Sequence, residues 1–179
     1  MNPFLAAWSN FYVITGSSAA ALTGLMFIVI TLVAGQERFF KNMRDGVETF
    51  SSPTVVHFSA ALLISAILAA PWHSLVSPGI LLTFIGLCGA VYAVRVLLRM
   101  KRRTTYEPEF DDWFWYALLP VAAYVAIFAA GIMLVTVPER GLFALAGGTI
   151  ALIFMGIRNA WDIVTFIAVE IKSTDRPPN

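Results

Sequence analysis

The feature that most restricts the fold of this chain is a set of five long apolar stretches, none with strict alternation of polar and apolar residues. A helix needs about 20 mostly apolar residues to cross a hydrocarbon core about 30 Å thick. Strands of membrane barrels are about half that length and alternate, so helices are indicated. The sequence predicts an all-α polytopic membrane protein with spans at 9–34, 53–70, 78–98, 113–137 and 142–169.

The composition supports the same class of protein. Of the 179 residues, 59% are hydrophobic and 13% charged, whereas soluble domains average about 45–50% and about 25%. This excludes a soluble domain and a disordered chain, and the net charge of +1 gives no basic field for nucleic acid. No internal repeat is visible, so residues 1–179 are predicted to form one transmembrane domain.

Prolines mark several predicted helix boundaries. Ser52-Pro53 and Ser77-Pro78 each place a capping serine before a proline at the first helical position. Pro120 lies about two turns inside the fourth predicted span, where it should kink the helix unless the helix begins later.

The distribution of Lys and Arg predicts the orientation. Ten of the 12 lie in the first loop, around the third loop and in the C-terminal tail, whereas the remaining loops hold only Arg140. By the positive-inside rule, this pattern predicts a protein of the bacterial inner membrane with a periplasmic N-terminus and a cytoplasmic C-terminus. A group of basic residues at the end of the third span either contacts anionic lipid headgroups or only sets the topology. Its members are Arg99, Lys101, Arg102 and Arg103.

The first cytoplasmic loop has its own apolar pattern. Phe39, Phe40, Met43, Val47 and Phe50 recur at spacings of three and four, with charged residues between them. This favours a short helix lying in the membrane interface; a solvated connector is the alternative.

Small residues suggest how the first span packs. Gly16, Ala20 and Gly24 form a ridge at spacings of four, which lets another helix approach closely. The ridge serves either packing within the chain or contact between subunits.

Charged and titratable residues within spans are the candidate functional groups. Arg158 and Asp162 are spaced to pair across one helical turn, facing the bundle interior or a wet cavity, and Trp161 is placed to stack on the guanidinium. Asn159 could bond across helices, and His57 could relay protons with Asp162. The alternatives are a structural ion pair and a histidine satisfied by packing.

No enzyme motif, metal-ligand spacing or cofactor signature is present, so neither catalysis nor a cofactor is predicted. The primary hypothesis is a small channel or transport protein for an ion or small solute. Its polar path would contain Arg158, Asp162, His57 and Asn159, and it would lie between subunits of a homo-oligomer. The alternative is a non-transporting membrane scaffold or regulatory partner in which the Arg158–Asp162 pair is structural. Besides lipid, no partner is specified.

Overall fold

The computed structural model describes residues 2–34, 37–102 and 114–174, and it describes side chains within 2–31, 53–99, 114–115 and 118–165. All of its regular structure in these ranges is helical. The helices are α1 (Pro3–Ala34), α2 (Glu37–Ala69), α3 (Val76–Arg102), a π-helical turn (Phe114–Leu118), α4 (Leu119–Thr136) and α5 (Pro138–Thr174).

Four of the helices are long and apolar enough to cross a membrane, namely α1, α3, α4 and α5. The apolar part of α2, Pro53–Ala69, is shorter, at the low end of the range of about 17–25 residues found for spans. The chain is therefore an all-helical protein of the integral membrane class.

The second span was predicted at 53–70, and the apolar part of α2 is Pro53–Ala69. The helix start predicted at Ser52-Pro53 is wrong, because helix α2 begins at Glu37 and runs through Pro53 without a break. A proline inside a helix removes one backbone hydrogen bond without having to end the helix. The segment predicted to form a separate interfacial helix is the first half of α2. Its side chains lie outside the described residues, and its position at a membrane surface stays a prediction.

Pro120 does not kink the middle of a helix. The α-helical part of the fourth span begins only at Leu119, so the proline lies in its first turn, where a missing N–H group costs nothing. The π-helical turn Phe114–Leu118 precedes it and joins the α3–α4 connection to the span.

The helices pack in the spatial order α1, α2, α5, α4, α3. One end of the bundle, here called the tight-turn end, holds the loop 70–75 and Val137, the only residue between α4 and α5. The N-terminus of α1 lies there too, because the Asn2 backbone N–H donates to the Trp72 carbonyl at 2.8 Å. The opposite end, called the basic end, carries Arg99 on α3 and the C-terminal end of α5. The two termini of the helical bundle therefore lie at opposite ends.

Glycines bring α3 and α4 into close contact. A Cβ atom on Gly131 would lie 2.5 Å from the Thr83 backbone nitrogen and 3.0 Å from the Gly79 carbonyl oxygen. One on Gly86 would overlap the Phe128 backbone. Lipid tails are as apolar as the helices, so close backbone approach supplies much of the attraction between spans. The α3–α4 pair is thus a tightly interlocked unit.

Candidate functional site

A buried polar pair lies between α2 and α4. His57 is 2% exposed, and its Nδ1 lies 3.0 Å from the Tyr124 hydroxyl oxygen. The hydroxyl donates to Nδ1 when the imidazole carries its proton on Nε2, and accepts from Nδ1 in the other tautomer. Each residue lies twelve positions from the tight-turn end of its helix, at Ala69 and Thr136, which is about 18 Å along the axis. The pair thus lies within the apolar segments Pro53–Ala69 and Leu119–Thr136.

Tyr124 reaches His57 because α3 leaves room for its ring. A Cβ atom on Gly89 of α3 would overlap the Tyr124 ring. The ring therefore lies directly on the α3 backbone while its hydroxyl contacts α2. Tyr124 joins three helices through one side chain, and this contact connects α2 to the α3–α4 unit.

The chemistry available to this pair is proton exchange between an imidazole and a phenol. Intramembrane titratable groups of this kind are rare and are functional candidates by default. Within the described residues, no three His, Cys, Asp or Glu side chains come together in a group that could hold a metal ion. The predicted proton partner of His57 was Asp162; the hydrogen bond that the structure gives the imidazole is with Tyr124.

Asn159 is a second buried polar residue, on α5. It is 1% exposed, and in the described part of the chain its side-chain amide nitrogen, Nδ2, has no hydrogen-bond partner. It lies one turn beyond Gly156, where a Cβ atom would overlap the Phe58 ring of α2. Asn159 is therefore in the core on the basic-end side of Phe58. An unsatisfied buried donor costs about 1–3 kcal/mol.

Arg158 and Asp162 form the expected contact across one turn of α5, with the Arg158 Nε 3.3 Å from both carboxylate oxygens. They do not face the interior of the chain, because the side chains are 47% and 33% exposed; the alternative of a wet cavity stays a prediction. Trp161 was predicted to stack on the guanidinium. The ring found beside it is that of Trp115 in the π-helical turn, whose centroid lies 5.5 Å from the guanidinium carbon of Arg158.

Arg158 lies twenty residues beyond Pro138, the first residue of α5, which is about 30 Å along the axis. It is within the apolar segment Pro138–Thr165, in the part of α5 far from the tight-turn end.

The predicted small-residue ridge of α1 is used only in part within the chain. A Cβ atom on Gly16 would lie 3.0 Å from the Ser65 Cβ of α2, and the neighbouring Thr15 hydroxyl is 3.0 Å from the Ser65 hydroxyl. Ala20 is exposed, and nothing lies within 4 Å of a Cβ atom on Gly24. The intrachain contact of α1 with α2 therefore involves Gly16 but not Gly24.

The predicted headgroup cluster is described at one position. Arg99 is exposed at the basic end of α3. The side chains of Lys101 and Arg102, and all of Arg103, lie outside the described residues.

Two residues of these sites were not predicted as candidates, Tyr124 and Trp115. Tyr124 is a hydroxyl-bearing residue in an otherwise apolar run, which is a detectable signal. Its partner His57, on another helix, could not be detected from the sequence, because spacing relates residues only within one helix. Trp115 is beside Arg158 only through the placement of the π-helical turn against α5, which spacing within one helix does not show.

Comparison of the chain with protein-family models, with curated proteins and with solved structures finds no match in any of the three.

Proposed function

We propose that this integral membrane protein is a non-transporting and non-enzymatic scaffold or regulatory partner in its membrane. The observation that carries the proposal is the position of the Arg158–Asp162 pair. A transport path through one chain requires polar groups that face its interior. The two side chains of this pair are instead 47% and 33% exposed on the surface of the chain, and a path between subunits is tested by flux.

The packing of the core supports the same conclusion. The spaces between the described helices are filled by large side chains with almost no exposure, and these belong to several helices. They include Tyr12, Phe58, Ile64, Leu68, Leu82, Ile127, Leu134, Leu142, Leu145 and Leu152. Helices packed this closely form a rigid body that suits holding a partner in place.

Flux measurements test the proposal. Purified protein would be reconstituted into vesicles, and proton, potassium and chloride flux would be followed with reporter dyes. We expect the rates of protein-free vesicles, with no change on Asp162→Asn. Flux above that background that Asp162→Asn alters would refute the scaffold proposal.

The scaffold proposal also predicts contact with another protein. Helix α3 packs mainly on α4, and Phe84 is exposed on its outer face. A photocrosslinking amino acid at Phe84 should give one discrete adduct in native membranes, whereas the same group at the buried Phe58 should give none. Crosslinking to lipid alone at both positions would contradict the proposal. An adduct of twice the chain mass would identify a homo-oligomer.

A second candidate function, transport of protons or a small solute, is favoured by the buried His57–Tyr124 pair. Its test is proton flux in the same vesicles. Flux that falls in His57→Ala and in Tyr124→Phe would support transport, and equal rates in all three proteins would count against it.

The orientation remains part of the proposal, with a periplasmic N-terminus and a cytoplasmic C-terminus in a bacterial inner membrane. Ten of the 12 Lys and Arg residues support it. A cysteine placed after Asn179 should resist a membrane-impermeant label in intact cells and react after lysis. Labelling in intact cells would reverse the assignment.

A further inference from the structure

We propose that a water molecule binds in the core between α5 and the π-helical turn, where it accepts a hydrogen bond from the Asn159 side-chain amide and donates to a backbone carbonyl of the turn. This goes beyond the scaffold function, which gives that turn no role. Three observations carry it: the Asn159 donor, the proline that follows the turn, and the register in which α4 and α5 pack.

The donor side of the site is the Asn159 amide. The residue is 1% exposed, and its Nδ2 has no hydrogen-bond partner within the described ranges. Buried polar groups almost always have a partner, and internal water supplies it where the protein does not. Asn159 lies eleven residues beyond Gly148, which is about three helical turns. Both residues are therefore on the face of α5 that packs on α4.

Two close contacts give the register between α4 and α5. A Cβ atom on Gly141 would lie 2.8 Å from the Leu134 backbone nitrogen, and one on Gly148 would lie 2.7 Å from the Ile127 Cγ1. The two helices are antiparallel, because only one residue joins them. A step of seven residues forward along α5 therefore matches a step of seven backward along α4.

This register places the π-helical turn opposite Asn159. Continued toward the basic end, it puts Asn159 level with Tyr116, which is inside the turn. A separate contact agrees, because the guanidinium carbon of the neighbouring Arg158 lies 5.5 Å from the Trp115 ring centroid. The Asn159 amide is therefore beside the backbone of the turn.

The acceptor side of the site follows from Pro120. A proline has no N–H, so it gives no bond to the carbonyl four residues earlier in an α-helix, or five residues earlier in a π-helix. Those carbonyls belong to Tyr116 and Trp115 of the π-helical turn. Pro120 is buried and lies seven residues before Ile127 on one face of α4. The position of the missing bond therefore faces α5.

Water has the chemistry that both sides of this site require. An amide nitrogen only donates and a carbonyl oxygen only accepts, so a group between them has to accept from one and donate to the other. A cation would bind the carbonyls but repel the amide N–H, and an anion would do the reverse. Buried waters have about three hydrogen bonds each, which allows for Asn159 and both carbonyls. The water thus joins the turn that begins the fourth span to α5.

Solid-state NMR of the full-length protein in lipid vesicles tests the donor side. Isotopically labelled asparagine gives five side-chain amide signals, and that of Asn159 is identified by its loss in Asn159→Leu, where leucine replaces the amide and the water together. We expect magnetisation to pass from water to the Asn159 amide although the residue is 1% exposed. An amide that receives no magnetisation from water would overturn the proposal.

A proline variant tests the acceptor side. Pro120→Ala supplies an N–H, so we expect the transfer from water to Asn159 to fall about twofold as one of the two carbonyls gains a donor within the helix. Pro53→Ala is the matched control, because it supplies an N–H inside α2, and it should leave the transfer unchanged. Equal transfer in the wild type and Pro120→Ala would refute the site.

If Pro120→Ala does not elute as a folded protein, a crystal structure of the wild type that shows single water molecules decides. We expect one density peak within hydrogen-bond distance of the Asn159 Nδ2 and of a carbonyl oxygen of the π-helical turn. A structure without that peak, or with the amide bonded directly to a protein atom, would contradict the proposal.

Discussion

The hydrogen bond between Tyr124 and His57 makes a quantitative prediction for Tyr124→Phe. The variant keeps the ring on Gly89 and removes only the hydroxyl, which lies 3.0 Å from the His57 Nδ1. Hydrogen bonds between membrane helices contribute about 0.6 kcal/mol on average and at most about 1.7 kcal/mol. Because His57 is 2% exposed, its nitrogen would lose its partner without gaining water. We therefore expect a loss of about 1–1.5 kcal/mol in the free energy of unfolding.

The assay is reversible unfolding by SDS in mixed micelles, followed by tryptophan fluorescence. Tyr92→Phe is the matched control, because Tyr92 is a half-buried tyrosine of α3, and we expect it to cost less than about 0.5 kcal/mol. A double-mutant cycle with His57→Leu should give a coupling energy of about 0.6–1.7 kcal/mol. If the two substitutions are additive, or if Tyr124→Phe costs no more than the control, the inferred bond does not stabilise the protein.

Two further substitutions test the packing by the same unfolding assay. Gly89→Ala should destabilise the protein by about 1–3 kcal/mol, because the new methyl group overlaps the Tyr124 ring. Gly24→Ala is the control and should be neutral or slightly stabilising, because nothing lies within 4 Å of a Cβ atom at Gly24. Equal effects of the two substitutions would disprove the contact between Gly89 and Tyr124. Asn159→Leu should leave stability unchanged or raise it by about 1 kcal/mol, because it removes a buried amide donor that has no described partner. A clear loss of stability in Asn159→Leu would instead show that the amide is bonded.

The positions of the spans could be predicted because they depend on hydropathy and length alone. The apolar segments of α1, α3, α4 and α5 were each predicted. The second span, predicted at 53–70, matches the apolar part of α2, Pro53–Ala69, whereas the helix itself begins sixteen residues earlier, at Glu37. A proline after a serine is equally compatible with the first turn of a helix and with a tolerated interior position. The sequence offers no means of choosing between them at Pro53.

The exposure of the ion pair could not be predicted from spacing within one helix. The 47% and 33% exposure of the Arg158 and Asp162 side chains depends on which face of α5 the other helices cover. The fifth span was predicted to begin at residue 142, whereas α5 begins at Pro138.

The pairing of Arg158 with Asp162 could be predicted because both residues are on one helix, where spacing determines contact. The pairing of His57 with Tyr124 could not, because it depends on how α2 and α4 are placed relative to each other. That placement is determined by close contacts such as Gly89 against the Tyr124 ring. A glycine in an apolar run does not reveal which residue will occupy the space it leaves.

The single residue between α4 and α5 has a consequence for biosynthesis. Val137 alone connects the two helices, and Gly141 lies against the Leu134 backbone, where a Cβ atom would be 2.8 Å from its nitrogen. A connection of one residue is too short for one helix to span the bilayer while the other remains outside it. We therefore expect the two segments to enter the membrane together, as a helical hairpin.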